Sequence, residues 1–106
     1  MKAGIIIYSN EPETVWNAFR FGNFALAMGD EVNVFLLGKG VEVESLDMEK
    51  FQVLEQLQEF IGSDGKLFAC GTCLEIHQID ASDIYKVSTL KELYDLVKES
   101  ERIITF

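Results

Sequence analysis

Hydrophobic and polar positions along this chain switch repeatedly between a strand-like and a helix-like period. Residues 3–8 (AGIIIY) form a short unbroken apolar run closed by Ser9-Asn10, the pattern of a strand buried on both faces. Asn10 is placed to cap a helix, with Pro12 tolerated in the first turn and Glu13 three residues on. That helix runs to about Met28 and stops at Gly29-Asp30. Residues 32–37 (VNVFLL) predict a second strand, broken by Gly38-Lys39-Gly40. After an irregular stretch, residues 46–61 carry helical spacing. Phe51, Leu54, Leu57 and Ile61 fall on one face, and Glu49, Glu55, Gln56 and Glu59 are available for the other. Gly62-Ser63-Asp64-Gly65 ends this helix, and residues 66–69 predict a third strand with Cys70 at its end. Residues 74–77 begin a short helix, and residues 84–87 are a weak fourth strand. Thr89-Leu90-Lys91-Glu92 is a capping box. The helix it opens should turn Leu90, Leu93, Tyr94 and Val97 inward and Lys91, Glu92, Asp95 and Lys98 to water. Residues 102–106 (RIITF) predict a final strand.

Strand and helix therefore alternate from end to end. That order implies an α/β domain with a parallel sheet, helices on both faces and right-handed crossovers. With no linker, repeat or low-complexity segment, residues 1–106 read as one domain. In such sheets ligands and catalytic groups collect at the carboxyl ends of the strands. Cys70 falls at that edge, as do Ser9, Asn10 and Glu11 after the first strand and Gly38 to Gly40 after the second.

The first helix is over-supplied with apolar residues. Val15, Trp16, Phe19, Phe21, Phe24, Leu26 and Met28, with three alanines, exceed a single stripe and wrap most of its circumference. A helix apolar all round is generally buried all round, and one sheet face cannot cover it. A second protein surface is expected there, most simply another copy of the chain. The competing reading leaves some large side chains exposed, as surface apolar area is common.

Charge narrows the partners. The formal net charge of −9 argues against nucleic acid, whose phosphates require Lys and Arg, and against an anionic membrane surface. No apolar run approaches the roughly 18 residues of a membrane span, and without a charged segment followed by an apolar run at its start no leader peptide is expected. Two cysteines three residues apart do not build a secreted disulfide framework, so a cytoplasmic location is expected.

Those cysteines carry the candidate chemistry. Cys70-Gly71-Thr72-Cys73 lies between a strand and a helix N-terminus, whose partial positive charge favours a thiolate. Four readings are open. A thiol–disulfide couple is weakened because the only proline, Pro12, is far from the motif, whereas thioredoxin-like sites keep one nearby. Zinc is weakened because Cys70, Cys73 and His77 give three ligands and nothing completes a fourth, so no metal and no cofactor are expected. A single nucleophilic thiol, Cys70 assisted by Cys73, could accept and donate sulfur. Inert packing of both cysteines is the fourth. Gly38-x-Gly40 is too short for a phosphate loop and reads first as a turn. Asn10 and Glu11 read first as a helix cap, and second as accessory groups beside Gly38, Gly71 and Thr72.

The segment FACGTCL, residues 68–74, resembles the cysteine motif of the DsrE/DsrF family, whose small YchN-like members carry a very similar Ala-Cys-Gly-Thr-Cys. The run from Trp16-Asn17-Ala18-Phe19-Arg20-Phe21 to Glu31-Val32-Asn33-Val34-Phe35-Leu36-Leu37-Gly38-Lys39-Gly40-Val41-Glu42 is similar to that family's first helix and second strand. The resemblance covers nearly the whole chain. It implies a three-layer α/β/α sandwich around a five-stranded, mostly parallel sheet, and assembly into trimers or hexamers. It also implies a sulfur relay in which Cys70 carries a persulfide and passes it between a donor and an acceptor protein, with Cys73 matching a second cysteine that the best-understood carriers do not need. A non-catalytic oligomeric module that binds a small molecule, and a Cys70/Cys73 disulfide switch, remain as alternatives.

Overall fold

The computed structural model describes all 106 residues. It contains strands β1 (Lys2–Ile7), β2 (Glu31–Leu36), β3 (Lys66–Cys70), β4 (Lys86–Ser88) and β5 (Arg102–Thr105). The helices are α1 (Pro12–Ala27), α2 (Val53–Gly62), α3 (Gly71–Ile76) and α4 (Leu90–Glu99), and a 3₁₀ segment spans Gly38–Ser45. The five strands form one all-parallel sheet in the order β4-β3-β2-β1-β5.

Strand order and crossover handedness together decide where each helix goes. The steps from β1 through β4 all run in one direction across the sheet, so right-handed connections put α1, α2 and α3 on a single face. The step from β4 to β5 crosses back over three strands and puts α4 on the opposite face. Packing follows this division. Ile5, Ile7, Val34, Leu36 and Leu67 meet Val15 and Phe19 of α1 and Leu57 and Phe60 of α2 in the main core. Phe19 and Phe60 stack edge-on at 5.7 Å where the two helices touch. On the other face Phe35 and Cys70 pack beneath Leu96 of α4, with Ile6, Phe68 and Leu93 around them. The outcome is a three-layer sandwich with one thick face and one thin one.

Several elements differ from their sequence expectation. Glu11, not Asn10, caps α1: its carboxylate accepts the Glu13 N–H at 2.6 Å. A carboxylate also suits the positive end of the helix. Residues 46–52 are not helical; α2 starts at Val53, and its buried positions are Val53, Leu57 and Phe60. Phe51 instead packs against Trp16 at 5.4 Å. The fourth strand begins at Lys86, later than expected, because Tyr85 turns into the core while Ser88 pairs beside Cys70. The inward stripe of α4 is Leu93 and Leu96, whereas Leu90, Tyr94 and Val97 stand exposed. Leu96 and Ser100 descend onto Gly4 of β1, where a Cβ would lie 2.7 Å and 2.6 Å from them. This close approach fixes the rotation of α4 and lifts the expected stripe to solvent.

The 3₁₀ segment is held by backbone. A Cβ at Gly40 would overlap the carbonyl oxygen of Ile7 at the end of β1. That oxygen accepts the Leu37 N–H at 2.9 Å, so it cannot move aside cheaply. Gly40→Ala is expected to destabilise the protein by a few kcal/mol in denaturant unfolding. Gly62→Ala is the contrasting case. Its Cβ would meet nothing within 4 Å, and its position in α2 favours alanine, so a gain of about 0.5–1 kcal/mol is expected.

Candidate functional site

The carboxyl ends of β3 and β4 part company. After β3 the chain turns into α3 on one face, and after β4 into α4 on the other. Adjacent parallel strands whose connections leave in opposite directions open a crevice between them. Here that crevice is a cavity of about 490 Å³. One wall is Cys70 to Cys73, the other Val87 to Leu90, and Leu37 from the end of β2 closes the back. No charged side chain lines it, although the chain carries eighteen Asp and Glu residues.

Cys70 is the last residue of β3 and also the N-cap of α3. Its φ of −64° and ψ of 117° are extended, so its side chain turns back over the first helical turn. The backbone N–H of Cys73 donates to Cys70 Sγ at 3.4 Å. Serine or asparagine usually takes this capping position; a sulfur there receives an otherwise unpaired helix donor. Cys70 is buried and Cys73 half-buried, and both are free thiols. Cys73 Sγ accepts the Gly38 N–H at 3.2 Å. Gly38 has a φ of 55°, the left-handed region that favours glycine. Burial, and next the contact with Cys70, push the Cys73 thiol up from its ordinary value, against a downward pull from the Gly38 amide.

Most sequence-singled residues meet at this place. Cys70, Gly71, Thr72 and Cys73 line the cavity, and Gly38 joins them through its amide. Asn10 and Glu11 do not line it. Asn10 Nδ2 donates to Glu42 Oε1 at 3.5 Å, and Glu11 is spent on capping α1. His77 turns from the thiols to Glu42, with Nδ1 and Oε2 2.8 Å apart. No three His, Cys, Asp or Glu side chains converge in a metal-ligating arrangement. No helix is long and apolar enough to cross a membrane. The second wall, Val87 to Leu90, escaped the sequence reading. Its capping box was visible, but only the strand order shows that β4 ends beside β3.

Thr89 serves both fold and site, since it lines the cavity and caps α4. Its Oγ1 and backbone N–H both donate to Glu92 Oε2, at 2.6 and 2.7 Å. The hydroxyl bond first, and the backbone bonds next, lower the Glu92 carboxyl to about 2. A depressed carboxyl contributes stability that is present above its unfolded value of about 4.3 and is lost as pH falls toward about 2. Thermal melts over that acid range should therefore show a Glu92-dependent loss. Thr89→Ala is expected to lower the melting temperature at neutral pH and to flatten that acid dependence.

Comparison with known proteins gives a consistent result. A family model described as the DsrE/DsrF-like family matches residues 1–106. An uncharacterized protein of Methanocaldococcus jannaschii is 34% identical over 100 residues, covering 89% of this chain and 88% of that protein. Another, from Methanopyrus kandleri, is 30% identical over 110 residues, covering 95% and 91%. Among solved structures, the YchN protein from E. coli superposes with a TM-score of 0.85 at 19% identity, over 100% of both chains. A protein of unknown function from Methanobacterium thermoautotrophicum gives 0.79 at 15% identity, over 99% and 98%. These structures share the fold, and the family match with the two archaeal relatives settles the lineage: the chain belongs to the DsrE/DsrF-like family.

Proposed function

We propose that this protein carries sulfane sulfur on Cys70 as a persulfide and hands it to a partner protein. The observation that carries the reading is the position of Cys70 Sγ. It caps α3 at a switch-point cavity and receives a backbone N–H from Cys73. An anionic sulfur is stabilised there by amide hydrogen and helix end without any cationic side chain. Membership of a family associated with sulfur relay agrees with it.

The transfer balances without an outside oxidant or reductant. The Cys70 thiolate attacks the outer sulfur of a donor persulfide, R–S–SH. The donor S–S bond breaks, R–S⁻ leaves, and Cys70–S–SH remains. An acceptor thiolate then attacks that same outer sulfur, and Cys70–S⁻ is the leaving group. Thr72 and Ser88 in the cavity wall supply neutral hydroxyls, and Leu37, Val87 and Leu90 keep the wall apolar. Val87, Leu90 and Tyr94 are also exposed beyond the mouth, an apolar surface suited to a protein donor or acceptor.

A second reading, a non-catalytic module that binds a small molecule, draws on the cavity size, which falls within the usual range for ligand pockets. Incubation with a persulfide donor followed by intact mass spectrometry separates the two. One added sulfur atom on the wild type, lost in Cys70→Ser, is expected. A wild type that gains none would leave the binding-module reading standing instead.

Self-association belongs to the same proposal. Phe21 and Phe24 of α1, with Met28 just past its end, stand exposed on the outside of the thick face, and Phe106 packs beside Phe21 at 6.4 Å. This is the part of the over-apolar helix that its own chain leaves uncovered, and a second copy is its natural cover. A trimer or hexamer is expected by light scattering. Phe24→Glu should shift it toward monomer with its circular dichroism unchanged; a wild type that is already monomeric would refute the assembly.

A further inference from the structure

The relay described above uses Cys73 only through its backbone, yet Cys73 lines the same cavity as Cys70. The two residues are the N-cap and the third residue of α3. With a rise of about 1.5 Å per residue on a cylinder of about 2.3 Å radius, residues three apart on a helix have Cα atoms about 5 Å apart. That lies inside the window of roughly 4.4–6.8 Å that a disulfide spans. The Cys70 side chain is turned toward its neighbour, since its Sγ stands 3.4 Å from the Cys73 backbone nitrogen. Both thiols are free. Cys73 Sγ is held in turn by the Gly38 N–H at 3.2 Å, a donor fixed in the backbone just past β2. A second thiol therefore stands one helical turn from the sulfur that carries the persulfide.

We infer that Cys73 discharges the persulfide when no acceptor takes it: the Cys73 sulfur attacks Cys70 Sγ, the outer sulfur departs as sulfide, and a Cys70–Cys73 disulfide remains. The inference rests on the reading of Cys70 as the sulfur-bearing thiol and gives that sulfur a second fate. In the balanced step, Cys70–S–S⁻ and Cys73–SH give the Cys70–S–S–Cys73 disulfide and HS⁻. The new bond joins the two Sγ atoms. The bond that breaks joins Cys70 Sγ to the outer sulfur, and its electron pair leaves with that sulfur. The proton on the departing sulfide comes from the Cys73 thiol, which burial keeps protonated at neutral pH. The outer sulfur is reduced and the two cysteine sulfurs are oxidised, so no outside oxidant or reductant enters. A dithiol reductant then resets the pair by ordinary exchange. An acceptor thiolate attacks the outer sulfur, whereas Cys73 attacks the inner one, so the two routes compete for one intermediate. A thiol is a weaker nucleophile than a thiolate, which makes the discharge the slower route and leaves handover in front.

The test loads the whole chain with a small-molecule persulfide donor and removes the donor by gel filtration. The protein is then followed without oxygen by intact mass, while released sulfide is trapped with monobromobimane. The wild type should first show one added sulfur atom. Over minutes to hours it should convert to a species two hydrogens lighter than the reduced protein, with one sulfide trapped per chain. A dithiol should return that species to the starting mass. Cys73→Ser keeps a similar volume and an acceptor for the Gly38 N–H; it should hold the added sulfur, with sulfide release slowed about tenfold or more. Cys73→Ala should behave like serine, and it answers the question if the serine variant fails to fold. The release rate of the wild type should be independent of protein concentration, as a step within one chain requires. A wild type that holds its sulfur as long as Cys73→Ser does, or a release that quickens in proportion to protein concentration, would overturn the inference. A residue that only fills space would change stability and leave no lighter species. Absence of added sulfur on both wild type and Cys73→Ser would refute the carrier reading itself; loading that persists equally in both would refute the discharge alone.

Discussion

Everything at the site depends on one reversal in the direction of strand addition. Right-handed crossovers confine the first three connections to one face, and the chain can reach the free side of β1 only by sending α4 over the other. The reversal falls between β3 and β4, so their ends are pulled toward opposite faces and a gap opens at the last residue of β3. Cys70 occupies that residue. The thiol is thus located by topology before any side chain near it is specified. The same reversal leaves the second face with a single ten-residue helix, which is why that layer is thin.

Within the gap the electrostatics are carried by backbone. The chain is strongly acidic, and carboxylates near a thiol oppose its ionisation. The cavity answers this by excluding charged side chains and presenting amide hydrogens: Cys73 N–H to Cys70 Sγ and Gly38 N–H to Cys73 Sγ. Donors fixed in secondary structure need no reorganisation when charge develops on the sulfur. They also carry no counter-charge that would bind a small anion tightly.

How much of this was legible in the sequence follows from the reach of each signal. Local signals worked. The apolar run of β1, the glycine breaks, the capping box at Thr89 and the cysteine motif at a strand's end all depend on neighbours within a few residues. The sulfur wall of the site, Cys70 to Cys73, could be read for that reason. Errors occurred where a distant contact decided. Periodicity alone put Leu90, Tyr94 and Val97 inside, but α4 is turned by its descent onto Gly4, nearly ninety residues away along the chain. The helical spacing of Phe51 extends the expected helix over residues 46–52, but Phe51 packs against Trp16 outside α2. The second wall needed strand order, which no local pattern encodes. The surplus of apolar residues on the first helix was legible as a surplus, and the structure leaves it exposed at Phe21 and Phe24 of α1 and at Met28 just past its end.

The glycine at residue 4 has a wider effect than its place in β1 implies. It touches α4 near that helix's end, whereas Thr89 and Leu90 bound the cavity at its beginning. Ten helical residues span about 15 Å, and a helix of that length moves as a stiff rod. The missing methyl group at one end therefore acts as a spacer for the other, setting how near the second wall stands to the thiol. Aperture and chemistry are governed by separate parts of the molecule. Relatives built on this frame could widen or narrow the cavity by changing what fits beneath the far end of one helix, with every atom around Cys70 left as it is.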